Sequence, residues 1–128
     1  MSGAGHKVAI IDDDDSSLRA LSRLLRGMAF ATTTFRSAED YLASAQPQKF
    51  LCLLVDIQLG PGMSGLELHP QLQLRGDTTP LIFITAHDEP AARQEAERLG
   101  CAGFFRKTDP GAMIIEAIRR VADASTAV

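Results

Sequence analysis

Lys7-Val8-Ala9-Ile10-Ile11, followed directly by Asp12-Asp13-Asp14-Asp15, is the stretch that decides the fold. The first five residues are apolar at almost every position. A strand covered on both faces reads this way, whereas a half-solvated strand alternates. Leu51–Val55 and Leu81–Ile84 repeat the pattern, and Phe30–Thr34 and Gly103–Phe105 are two further strand candidates.

The segments between these runs have helical spacing and end signals. Leu18, Leu21, Leu25 and Met28 form one stripe, with Gly27 marking the end of that helix. Asp15 or Ser16 is expected to cap it. Ser37 with Asp40 opens a short second helix, and Ser64 with Glu67 has capping-box spacing for a third. Asp88 before Pro90 and Asp109 before Pro110 open the fourth and fifth. Ala91, Ala92, Ala96 and Leu99 give the fourth helix a weakly apolar face. Ile114, Ala117, Ile118 and Val121 give the fifth its buried side. Pro70 falls inside the third helix, where a missing donor and a steric clash predict a kink or an irregular start.

Five strands alternating with five helices predict a three-layer α/β/α sandwich on a five-stranded parallel sheet. The 128 residues suit one domain, expected over 7–122 with flexible ends at 1–6 and 123–128. At 45% hydrophobic residues the chain can build its core without disulfides or a structural metal. The net charge of −3, with no basic run, argues against direct nucleic-acid binding by this domain. Cys52 and Cys101 are too few for a disulfide framework. No stretch reaches the roughly 18 apolar residues of a membrane span. Met-Ser-Gly-Ala-Gly-His at the start lacks the apolar centre of a signal peptide, so a cytoplasmic protein is expected.

Polar residues gather at the C-terminal ends of the strands. Asp12 and Asp13 follow the first, Asp56 the third, Thr85 the fourth and Lys107 the fifth. Open parallel sheets bind ligands there, where strand order reverses. In a sheet of order 2-1-3-4-5 the first and third strands are neighbours, and Asp12, Asp13 and Asp56 converge. Three carboxylates so placed repel unless protonated or joined by a cation. A hard, all-oxygen site with few protein ligands suits magnesium. Asp14 and Asp15 read as a solvated loop.

In order along the chain stand Val-Ala-Ile-Ile-Asp-Asp-Asp at 8–14, Leu-Leu-Val-Asp-Ile-Gln-Leu at 53–59 and Gly-Met-Ser-Gly-Leu-Glu-Leu at 62–68. Ile-Phe-Ile-Thr-Ala-His at 82–87 and Ala-Gly-Phe-Phe-Arg-Lys at 102–107 complete the set. Over nearly its whole length the chain resembles the response-regulator receiver family of two-component signalling, including its chemotaxis receivers. The resemblance implies a flavodoxin-like fold and a phosphoacceptor role for Asp56. The phosphoryl donor would be a sensor histidine kinase or a phosphotransfer protein. The domain would promote its own phosphorylation and dephosphorylation rather than act as an enzyme on a turnover substrate.

The same resemblance implies that Mg2+, with Mn2+ as substitute, binds Asp13, Asp56 and the backbone carbonyl of Gln58, with Asp12 acting largely through water. Thr85 and Lys107 would hold phosphoryl oxygens. Phe104 would be the switch aromatic that turns when Thr85 moves. His87 and Gln58 would flank the path of water to the acyl phosphate. The surface of the fourth helix, fifth strand and fifth helix would carry the output, homodimerisation being one readout.

Two departures stand out. Gly60, then Pro61, replaces the family's proline, making the loop from Asp56 to Gly65 one residue longer. Thr108 replaces the proline after the lysine, and a cis peptide before a non-proline residue costs about 2.5–4 kcal/mol, so a trans bond is expected. A phosphate-binding Rossmann or P-loop enzyme, or a flavodoxin-type cofactor binder, would need a glycine-rich turn where this chain has four aspartates. A magnesium-dependent phosphatase would place a general acid where Gln58 stands. A pseudo-receiver that keeps the fold without phosphorylation is the remaining alternative.

Overall fold

A computed structural model of the chain describes residues 6–44 and 50–126. Strands β1 (Lys7–Ile11), β2 (Ala31–Phe35), β3 (Cys52–Asp56), β4 (Leu81–Thr85) and β5 (Gly103–Arg106) form one parallel sheet. Their order is β2-β1-β3-β4-β5, as expected. Helices α1 (Asp15–Gly27), α2 (Ala38–Ser44), α3 (Gly65–Leu74), α4 (Pro90–Arg98) and α5 (Gly111–Thr126) join them. The last helix therefore continues through residues 123–126, which the sequence assigned to a flexible end. Residues 1–5 and 127–128 of the expected ends lie outside the described residues.

Strand alternation divides the core in two. Val8, Ile10, Leu54 and Ile82 pack with Leu18 and Leu25 of α1 and with Ile114 and Ile118 of α5. Ala9, Ile11, Leu53 and Phe83 point the other way, onto Tyr41 of α2, Leu68 and Leu72 of α3 and Ala96 of α4. Strands β3 and β4 are buried at every position, which is why they read as unbroken apolar runs. Each fully buried large aliphatic side chain contributes about 1.5–3 kcal/mol. Both cysteines are free, and burial pushes the Cys52 thiol up to about 12, making it an inert core group.

Several local expectations change. Asp14, not Asp15 or Ser16, caps α1: its carboxylate accepts from the Ser16 N–H at 3.1 Å. Asp15 is the first helical residue and pairs with Arg36. Met28 is exposed, outside the buried stripe. Gly27 is the last helical residue, as expected, and the chain turns out of the helix at Ala29, which carries φ +71°. The Phe30 N–H returns to Leu25 O at 3.0 Å, closing the helix end. Phe30 is thereby used as a cap, and the β2 ladder starts one residue later, at Ala31, whose N–H donates to His6 O at 2.9 Å. Asp88 does not cap α4; Glu89 stands at the cap position without a side-chain hydrogen bond. Of the small-residue face of α4 only Ala96 is buried, and Ala91 is exposed. Asp109 turns back to accept from Arg106 N–H at 2.8 Å. Ser37 accepts from Asp40 N–H, and Ser64 with Glu67 closes a full capping box, both as expected. Helix α3 runs continuously across Pro70.

Ala29 holds a left-handed conformation that costs an L-residue about 1–2 kcal/mol, against about 0.5–1 kcal/mol of extra chain entropy for glycine. Ala29→Gly should therefore raise stability by about 0.5–1 kcal/mol. Urea unfolding should show a higher midpoint at unchanged slope.

Candidate functional site

The sheet order brings the ends of β1 and β3 together. Ile11 pairs with Val55, so Asp12 and Asp56 leave adjacent strands side by side. Carboxylate oxygens of Asp12, Asp13 and Asp56 all lie within 4.8 Å of one another. Asp12 is 2% exposed and Asp56 6%, while Asp13 is open to solvent. The cluster thus has two buried members and one exposed member.

Two backbone donors hold the buried acids. Asp14 N–H donates to Asp12 Oδ1 at 2.9 Å, and Gln58 N–H to Asp56 Oδ1 at 2.9 Å. Each chain turn that leaves a strand thus satisfies the carboxylate it has just placed. The outer oxygens meet Lys107, whose Nζ lies 2.9 Å from Asp12 Oδ2 and 3.0 Å from Asp56 Oδ2. Nζ also donates to Ser17 Oγ at 3.1 Å, and Ser17 in turn donates to Asp14 Oδ2 at 3.2 Å. No peptide bond among the described residues is cis, so Lys107–Thr108 is trans, and Ser17 adds a third hold on the lysine.

Burial pushes the Asp56 carboxyl above its ordinary value, and the charge of Asp12 adds to this against the Gln58 N–H and Lys107. Burial alone would draw the Lys107 amine down, but its hydrogen bonds to Asp12 and Asp56 carry it above its ordinary value. One ammonium shared between two carboxylates leaves Asp56 undercompensated.

Thr85 is buried at the end of β4, and its carbonyl accepts from Lys107 N–H at 2.8 Å. Its hydroxyl is turned to the following loop, donating to His87 O at 2.8 Å and accepting from His87 N–H at 3.1 Å. The structure therefore joins Asp12, Asp13, Asp56 and Lys107 directly, while Thr85 adjoins them with its hydroxyl engaged elsewhere. Phe104 is half-buried on β5, paired with Phe83, and lies under the Arg93 guanidinium at 4.4 Å from the ring centroid. Arg93 also reaches Asp88 through two 3.3 Å hydrogen bonds. The side chains of Gln58 and His87 are solvent-facing.

Gly65 is needed for this geometry. A Cβ there would stand 2.4 Å from Asp56 O, so only glycine lets α3 start against the strand end. Ser17 and Arg93 were not singled out from the sequence. Ser17 stands three residues after the helix cap Asp14, a spacing that turns its hydroxyl back to the strand ends. Nothing in the local pattern connects Arg93 to Phe104, eleven residues away on another element.

The chain matches the family model described as response regulator receiver domain over residues 8–119. It is 38% identical over 112 residues to the transcriptional regulatory protein FixJ of Azorhizobium caulinodans, covering 88% of this chain and 53% of that protein. It is 34% identical over 119 residues to the response regulator protein TodT of Pseudomonas putida, covering 93% of this chain and 52% of that protein. The chain spans about half the length of these curated relatives. The crystal structure of FixJ-N superposes with a TM-score of 0.81 at 32% identity, covering 92% of this chain and 94% of that one.

The raised Asp56 carboxyl has a testable sign. A carboxyl whose folded pKa exceeds its unfolded value, about 3.9, binds more protons folded than unfolded between the two. Stability then falls as pH rises through that window, and the ionised group costs stability at pH 7. Metal-free Asp56→Asn should lose this component and be at least as stable as the native chain at neutral pH, since Lys107 keeps Asp12. Urea melts from pH 3.5 to 8 on both proteins measure the difference; a neutral-pH loss of stability in the variant would contradict the direction given for Asp56.

Proposed function

The chain belongs to the response-regulator receiver family of two-component signalling, and from that premise we propose that Asp56 is its phosphoacceptor. The observation that carries the proposal is the pair of buried carboxylates, Asp12 and Asp56, bridged by half-buried Lys107 with Asp13 beside them. An Asp56 oxygen attacks phosphorus of a phosphohistidine on a sensor kinase or phosphotransfer protein. The new P–O bond forms as the P–N bond breaks, and the imidazole leaves with the electron pair. Phosphoryl transfer depends mainly on positioning and charge neutralisation. Lys107, already beside Asp56, would pair with a phosphoryl oxygen and offset part of the charge that the phosphoryl group brings.

The donor set fits a hard divalent cation, since three carboxylates supply oxygen alone and leave one open side for water. Asp13 and Asp56 would hold Mg2+ directly, or Mn2+ in its place, with Asp12 through water and the Gln58 carbonyl as a further ligand. The ion, when bound, neutralises charge on the phosphoryl oxygens. No helix among the described residues is long and apolar enough to cross a membrane, and by the family reading the domain works in the cytoplasm.

The switch follows from Thr85. Its hydroxyl must release His87 O to take a phosphoryl oxygen, which loosens the loop that carries Asp88. Asp88 holds Arg93, and Arg93 covers Phe104. The surface of α4, β5 and α5 then carries the output, with homodimerisation as one readout. His87 and Gln58 tune the lifetime of the acyl phosphate by their place beside the water path.

Acetyl phosphate with magnesium tests the acceptor. Intact-mass measurement should show one phosphoryl group per chain, lost in Asp56→Asn. An unreactive native chain would instead mark a pseudo-receiver, and steady turnover a phosphatase. Magnesium at about 100 times its dissociation constant should raise native stability by about 2.7 kcal/mol. Calorimetric melts should show that gain largely lost in Asp13→Ala.

A further inference from the structure

The loop between β3 and α3 is where this chain departs from the family's usual length, and its path is set from outside the acidic pocket. Leu59 anchors it in the core. Gly60 then turns with φ +68° so close to the pocket that a Cβ would stand 2.8 Å from Asp13 Oδ2. Gly62, with φ +98°, passes Glu39 so closely that a Cβ would stand 2.7 Å from its Oε2. That same oxygen accepts from Met63 N–H at 2.7 Å. The segment Gly60-Pro61-Gly62 is thus strung between Asp13 on one side and the first turn of α2 on the other.

We propose that Glu39 is a positioning residue for the divalent-cation site: by fixing Met63 it holds the longer loop against Asp13 and so sets the cation affinity. The proposal rests on the receiver reading above. Asp13 is the exposed member of the three carboxylates, so it has the most freedom to swing away. The loop backbone at Gly60 closes that freedom on one side. Both positions carry positive φ, which L side chains rarely adopt, and a Cβ at either would push aside the carboxylate it touches. The hydrogen bond from Met63 is charge-assisted, and such bonds are about twice as strong as neutral ones. The Met63 N–H holds the Glu39 carboxyl below its ordinary value.

Glu39 also adds negative charge to this side of the molecule, and charge alone would favour a cation. Two variants separate the causes. Glu39→Ala removes both the acceptor and the charge, whereas Glu39→Gln removes the charge and keeps an oxygen acceptor. Magnesium titration by calorimetry, with amide hydrogen exchange at Met63 followed by NMR, reads the site and the loop independently of phosphorylation. In Glu39→Ala the Met63 amide should exchange about tenfold faster or more, and the magnesium dissociation constant should rise severalfold. Glu39→Gln should recover most of both effects. Unchanged magnesium affinity in Glu39→Ala, an unchanged Met63 amide, or equal weakening of magnesium binding in both variants would each overturn the proposal. A native chain that binds no magnesium would instead overturn the metal reading on which it stands.

Discussion

The shared ammonium of Lys107 is the interaction on which the rest of this structure depends. Two carboxylates, almost fully buried, leave adjacent strands, and one amine from the far side of the sheet meets both. Breaking a buried ion pair by removing one partner typically costs about 3–5 kcal/mol, because the remaining charge is stranded. The strand order and the placement of Ser17 keep that amine in reach. The balance is incomplete by one charge, and Asp13 adds another acid at the open wall. A site left short of positive charge is poised to take a cation.

The turns that leave the strands do much of the remaining work. Asp14 N–H and Gln58 N–H each serve the carboxylate two residues earlier, so the acids are oriented by their own loops. Gly65 allows α3 to begin in contact with Asp56 O, and Gly60 allows the preceding loop to lie on Asp13. Thr85 does the opposite: its hydroxyl holds the next loop and faces away from the acids. The contacts Asp88–Arg93–Phe104 continue from that loop to α4 and β5, so the hydroxyl is linked through a short series of contacts to both elements.

The fold and the inventory of the site were legible in the residues because both are written in short-range patterns. Unbroken apolar runs identify β1, β3 and β4 as strands buried on both faces, and an acid or lysine directly after a strand must lie at the carboxyl edge of a parallel sheet. The capping box of Ser64 and Glu67 and the turn at Ser37 are equally local. What the sequence alone misjudged were competitions between neighbours for one backbone group. Asp14 outcompetes Asp15 for the cap of α1, and Phe30 closes a helix instead of opening a strand. Which pairing wins depends on the direction in which the chain must leave, and that is set by the packing of α1 on the sheet. The sequence by itself thus determined the layers and the sheet edge at which Asp12, Asp13, Asp56, Thr85 and Lys107 stand. Only the tertiary structure decided that Ser17 steadies Lys107, that Arg93 covers Phe104 and that Glu39 holds the loop on Asp13. These partners are brought together by the sheet order, by helix orientation and by one long loop, and contacts between separate elements leave no periodic trace along the chain.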